Sequence, residues 1–191
     1  MFRSKFLAAI FAMSLFSSNL FSADKALPDG RIDIDVKNAP ADLNIMVVEA
    51  SEDTKASNAS KTGINWYFPT DERAWSQATL KIKSSKDCKA RLRLKSRFTK
   101  PEEAVWVLYD GLQADGTEIK NADLEEQPES KRNGWIFEEQ IPGLGPKLIK
   151  EEGVAKSGKG CYLVWHNGPA TYNGLSLPAG KVVTISVWAK K

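Results

Sequence analysis

Two groups of residues in this 191-residue chain combine aromatic rings with planar polar side chains at short spacing. Trp165-His166-Asn167 with Tyr172-Asn173 forms one, and Trp66-Tyr67-Phe68 with Asp71, Arg73 and Trp75 forms the other. A sugar ring offers an apolar face to an aromatic platform and hydroxyls to groups that donate and accept. The candidate ligand-binding residues are therefore Trp165, His166, Asn167, Tyr172, Asn173, Trp66, Tyr67 and Arg73. Aromatic residues of a β-sandwich more often fill the core, as read for Trp135 and Trp106. The polar neighbours of Trp165 and Tyr172 leave those two open between core and platform.

Catalysis needs a positioned acid, base or nucleophile, and no recognised arrangement of them occurs. The single histidine argues against triad chemistry. Glu138-Glu139 and Glu151-Glu152 lie in polar connections and read as solvated acids, although paired carboxylates for glycoside cleavage depend on a separation that sequence does not give. Two cysteines and one histidine have no close metal-ligand spacing.

The elements that must position these residues are strands. Apolar residues recur at period two, and no helical stripe lasts three turns. Arg31 to Val36, Leu43 to Val48, Thr79 to Lys83, Arg91 to Phe98, Val105 to Tyr109, Cys161 to His166 and Val182 to Trp188 read as strands. Ser51 to Lys61, Glu118 to Arg132 and Ile141 to Pro146 read as connections. In the fourth of these strands Leu92, Leu94 and Phe98 share one face, and Arg91, Arg93, Lys95 and Arg97 share the other. That basic row, placed beside Lys81 and Lys83, would suit a carboxylated or sulfated polysaccharide. A solvated face neutralised by nearby acids is the preferred reading, because the overall charge is small.

The start of the chain reads as a secretory signal over residues 1–23: Arg3 and Lys5, an uncharged apolar stretch from Phe6 to Phe16, then small residues to Ala23. The expected location is secreted or periplasmic, with one β-sandwich domain over residues 24–191. Without Arg3 and Lys5 the formal charge falls from +3 to +1. That balance gives no support for a nucleic-acid partner, and no later stretch is apolar enough for a membrane span. Export makes a Cys88–Cys161 disulfide the default expectation, with two separate buried thiols as the alternative.

Several stretches, taken in order, resemble the galactose-binding-like jelly-roll superfamily, in particular its secreted carbohydrate-binding modules. They are Asn121-Ala122-Asp123-Leu124-Glu125, Gly134-Trp135, Ser157-Gly158-Lys159-Gly160, and Pro178-Ala179-Gly180-Lys181 running into Ser186-Val187-Trp188-Ala189-Lys190. The family's second-half elements resemble Trp75 to Leu80, Ala90 to Leu94 and Val107-Leu108-Tyr109-Asp110, which here precede the opening motif. The chain therefore resembles a circular permutant. Two degenerate partial modules, or an unrelated sandwich, are the alternatives. The resemblance implies a structural calcium ion held by Asp110 and Glu125 with Asp123 nearby, and hard oxygen ligands suit that ion. Ala122 and Leu124 depart from the family's usual Gly and Phe.

The expectation is thus an all-β, jelly-roll-like antiparallel β-sandwich that binds a polysaccharide or other glycan without catalysing a reaction. A structural or adhesive envelope protein that binds another protein is the runner-up, and a small secreted hydrolase the third reading.

Overall fold

A computed structural model describes residues 27–191, so the signal segment expected over residues 1–23 lies outside the described residues. Twelve strands follow in chain order: β1 (Gly30–Asp35), β2 (Ile45–Ala50), β3 (Lys55–Ser60), β4 (Gly63–Phe68), β5 (Ser76–Ser84), β6 (Cys88–Ser96), β7 (Val107–Asp115), β8 (Trp135–Phe137), β9 (Lys147–Ile149), β10 (Cys161–Val164), β11 (Ala170–Leu177) and β12 (Val182–Lys190). A front sheet has the order β3-β4-β1-β6-β11-β8, and a back sheet the order β2-β5-β12-β7-β10-β9. Neighbours within each sheet run antiparallel. This is the expected all-β sandwich. Among the described residues no helix is long and apolar enough to cross a membrane.

The period-two pattern sorts side chains between core and surface. From the front sheet Ile32, Ile34, Trp66, Phe68, Leu92 and Leu94 are buried; from the back sheet Leu80, Ile82, Tyr109, Val183, Ile185 and Val187 meet them. Phe68 and Tyr109 touch edge to face at 6.1 Å. The Tyr109 hydroxyl crosses to the front sheet, accepting from the Arg31 amide at 2.8 Å and donating to the Lys95 carbonyl at 2.7 Å. A buried phenol needs such partners, and here they tie the sheets together beneath the charged face of β1 and β6.

Five strands escape the sequence reading: β3, β4, β11 and the short β8 and β9. The polar stretch 51–61 contains β3, an edge strand that is almost wholly exposed and pairs only with β4. β4 carries the Trp66-Tyr67-Phe68 group within a strand, so Trp66 points into the core while Tyr67 points out. In β11 the Asn173-Gly174 pair is a register shift within the strand, not a turn. Tyr172 therefore sits mid-strand, buried against Trp135 at 5.4 Å. β7 also runs on through Gly111, whose φ of 52° accompanies the irregular pairing with β12. A Cβ there would lie 3.1 Å from the Trp188 ring, in a backbone region that side chains disfavour.

The expected disulfide does not form; both cysteines are free. Cys88 opens β6 in the front sheet, with its sulfur 3.5 Å from the Ser84 hydroxyl. Cys161 opens β10 in the back sheet, beside Asp110 and Glu125. Bridging requires Cα atoms within about 7 Å, which thiols placed on separate sheets in these surroundings do not meet. Lys81 and Lys83 likewise belong to β5 of the back sheet, so they do not extend the basic row on β6.

Candidate functional site

The outer face of the front sheet gathers the chemistry. Across neighbouring strands the register gives the rows Tyr67–Arg31–Lys95, Asn65–Asp33–Arg93–Thr171 and Gly63–Asp35–Arg91. Alternation aims Arg31, Asp33 and Asp35 of β1, and Arg91, Arg93 and Lys95 of β6, away from the core. Cross-strand neighbours of opposite sign then pair. Arg31 grips Asp33 with two nitrogens, at 2.7 and 3.1 Å. Lys95 Nζ stands 3.5 Å from Asp33. Asp35 accepts from Arg93 at 3.0 Å and from Arg91. At the end of the row Asp29 accepts from Arg97 Nε at 2.6 Å and meets Lys191 at 3.1 Å.

Long side chains laid side by side shield one another. The Asp33 side chain is 5% exposed and that of Lys95 is 10% exposed. Burial lowers the Lys95 pKa, while the Asp33 carboxylate works in the opposite direction. Thr171 is buried beside this network and donates to Glu138 at 2.5 Å.

Aromatic groups flank the charges. The Arg31 guanidinium lies 5.1 Å from the centre of the Tyr67 ring. Phe98 is 66% exposed and stands edge to face with His166 at 4.8 Å. Burial pushes His166 down to about 4, with the cations Lys95 and Arg31 adding to the effect, so the imidazole is neutral near pH 7. Where the row ends, a cleft of about 780 Å³ opens between Asp29, Arg97, Lys55, Asp53, Pro69 and Thr70. A shallower hollow beside it includes Arg73, whose amide is held by the Asp71 carboxylate at 2.6 Å.

The structure brings only part of the expected ligand set together. Tyr67 and His166 lie on the front face, and Arg73 borders its end. Trp66 is fully buried in the core and offers no platform. Trp165 is also fully buried, its Nε1 donating to the Leu144 carbonyl at 2.5 Å and its ring 6.0 Å from Trp106. Tyr172 is 5% exposed. Asn167 is half-buried and its carbonyl accepts from the Gln140 amide at 3.1 Å; Asn173 is exposed on β11. Polar sequence neighbours did not expose Trp165 or Tyr172, because each neighbour points to the other side of its strand or turn.

Phe98 is the residue that the sequence reading misplaced. Extending period two from Leu92 and Leu94 put it in the core, but β6 ends at Ser96 and the alternation stops there. Pro101, three residues on, was the available signal that the strand was ending.

The carboxylates implied for calcium differ in their surroundings, with Glu125 standing between the other two. Asp110 is fully buried and accepts from the amides of Ser157 at 2.8 Å and Gly111 at 2.6 Å. Glu125 accepts from the Lys159 amide at 2.7 Å. Both thus converge on the 156–160 loop, where a Cβ on Gly158 would fall 1.8 Å from Glu125 Oε1. Burial raises the Asp110 pKa and Glu125 adds to it, as expected of an anion short of compensating positive charge. Asp123 is exposed and lines a hollow together with Glu125, Asn121, Glu126 and Arg132. Among the described residues no group of three or more His, Cys, Asp or Glu side chains is arranged to hold a metal ion. Asp110 and Glu125 therefore fit a cation only with oxygens of other kinds completing the shell. Comparison with known proteins finds no family model, no curated protein and no solved structure that matches this chain.

Proposed function

We propose that the protein is an exported, non-catalytic glycan-binding module whose site is the outer face of the front sheet. The observation that carries this reading is the pairing of aromatic and planar polar groups along one face. Tyr67 under Arg31 and exposed Phe98 against His166 flank a row of guanidinium, carboxylate and amide side chains that leads into a cleft. Rings of this kind cover the apolar face of a sugar, and cross-paired charges hold the hydroxyl-binding groups in fixed directions before ligand arrives. The meeting of Asp110 and Glu125 at the 156–160 loop supports the resemblance to carbohydrate-binding jelly rolls and their structural calcium. In this chain Asp110 and Glu125 would hold the ion, and its charge would neutralise the two carboxylates.

A glycan-array screen of protein purified from expression of the full chain tests the reading, alongside Tyr67→Ala and Phe98→Ala. Binding to a defined glycan, weakened about tenfold or more in each variant, is the expected result. Binding that both variants retain would remove the site from this face. Failure to bind any glycan would turn attention to a protein partner, for which the β2 edge with its exposed Met46 and Val48 is the alternative surface.

A further inference from the structure

The pairing on the front sheet is unequal. Arg31, Arg91, Arg93, Lys95 and Arg97 face only Asp29, Asp33 and Asp35 along β1, β6 and their flanking residues. Each aspartate is shared by at least two cations, Asp29 taking Lys191 as its second. Lys191 also reaches Glu72 at 3.8 Å, and Glu138 is occupied by Thr171, so neither acid answers the guanidinium groups of β6.

A second observation concerns donors as opposed to charge. The Nε atoms of Arg91 and Arg93 are shielded from solvent and have no acceptor, although each guanidinium already gives one terminal nitrogen to Asp35. A guanidinium has five N–H donors in a fixed planar fork, so much of the donor capacity of both residues is unspent. The Arg91 and Arg93 side chains are 22% and 25% exposed, and the reachable part of each planar, charged fork matches an incoming oxyanion better than a hydroxyl, which returns one acceptor atom and no charge.

Resting on the glycan-binding reading, we infer that the ligand of this face is an anionic polysaccharide, with carboxylate or sulfate groups set against Arg91, Arg93 and Arg97. Tyr67 and Phe98 then cover the apolar faces of its sugar rings. Arg97 lines the end cleft as well as the row, which extends the anion-binding line from the sheet into the cleft. Lys81 and Lys83 on the opposite sheet take no part, although they contribute equally to the net charge of the chain.

The test is binding to polygalacturonate, dextran sulfate, neutral dextran and single-stranded DNA, for the wild type, Arg93→Gln, Arg97→Gln, Tyr67→Ala and the control Lys81→Gln/Lys83→Gln. Arg97 is at the rim, so its variant keeps the test sound even where Arg93→Gln perturbs folding. The expected result is preference for one or both acidic polysaccharides over dextran and DNA, with about tenfold loss in the arginine variants and none in the control. Raising NaCl from about 50 to about 500 mM should weaken that binding markedly. The carboxylated and sulfated polymers identify which oxyanion is preferred. Equal binding to DNA, or equal loss in the lysine control, would mark general charge attraction and overturn the inference. Preference for neutral dextran with loss in Tyr67→Ala would also overturn it while leaving the glycan reading intact. Absence of binding to any glycan, neutral or acidic, would overturn both.

Discussion

The front and back sheets both point alternate residues of their central strands away from the core, and each buries an aspartate there: Asp33 on β1 and Asp110 on β7. Asp33 is compensated by side chains, with Arg31 bidentate and Lys95 close by. Asp110 is compensated by backbone amides of Gly111 and the 156–160 loop. Elsewhere the back sheet's outer face is built from separate contacts, such as Thr79 with Ser186 at 2.9 Å, Lys81 with Glu49 in solvent and Lys156 over the Trp188 ring at 4.6 Å. The same alternation yields a connected, half-buried charge network on one side and a solvated face on the other. What separates them is burial, since only shielded charges hold one another firmly enough to present a fixed pattern to a ligand.

The largest expected effect comes from breaking that network. Asp33→Ala should cost about 3 kcal/mol in urea unfolding, because it strands Arg31 and Lys95 without their buried partner. Lys81→Ala on the back sheet should stay within about 0.5 kcal/mol, as its ion pair is largely exposed. Comparable costs at the two positions would erase the distinction between the faces.

A smaller effect sharpens the account of the other aspartate. Calcium at millimolar concentration should raise the melting temperature by about 5 °C if the cation binds well below that concentration. Asp110→Asn should abolish the rise. An unchanged wild-type melting curve would leave Asp110 as a purely amide-compensated carboxylate.

His166 gives a smaller, pH-dependent effect. Its folded value of about 4 lies below the ordinary histidine value, so the unfolded chain takes up a proton first as pH falls. The His166 contribution to stability should therefore decline between about pH 6.5 and pH 4 and change little outside that window. Allowing for its partial exposure, the loss should be about 1 to 2 kcal/mol relative to His166→Gln. A wild type and variant that fall in parallel would contradict the shielded position of this ring beside Lys95 and Arg31.

The smallest effect is chemical and leaves stability untouched. Protein denatured without reductant should titrate as two free thiols. In the native state half-buried Cys88 should react before Cys161, which is buried and pushed up to about 12 by desolvation with Asp110 and Glu125 adding. Absence of free thiol after denaturation would restore the bridge between the sheets.

Much of the fold was legible because β1, β5, β6 and β12 alternate cleanly, and alternation is set by side chains that contact the core. β3 was illegible for the same reason: Lys55 to Ser60 has almost no core contact, and its place at the sheet edge depends on its partner β4. β11 hid behind Asn173-Gly174, a dipeptide that serves a hairpin turn or a bulge equally well. The site was legible in its chemistry more than in its place. Tyr67, Arg73 and the basic row of β6 were singled out, yet the acids that pair with that row lie about sixty residues upstream in sequence, and only strand register brings them alongside. Trp165 and Tyr172 failed as platforms because exposure depends on which way a backbone turns, which neighbouring residue types do not fix.

Hydrogen–deuterium exchange with and without the tightest-binding glycan from the array tests the central claim most directly. The account predicts added protection in β1, β4, β6 and the segment around Phe98 and His166, with β5 and β12 unchanged. Protection concentrated in β5 and β12, with β1 and β6 unaltered, would place the binding face on the opposite sheet and contradict it.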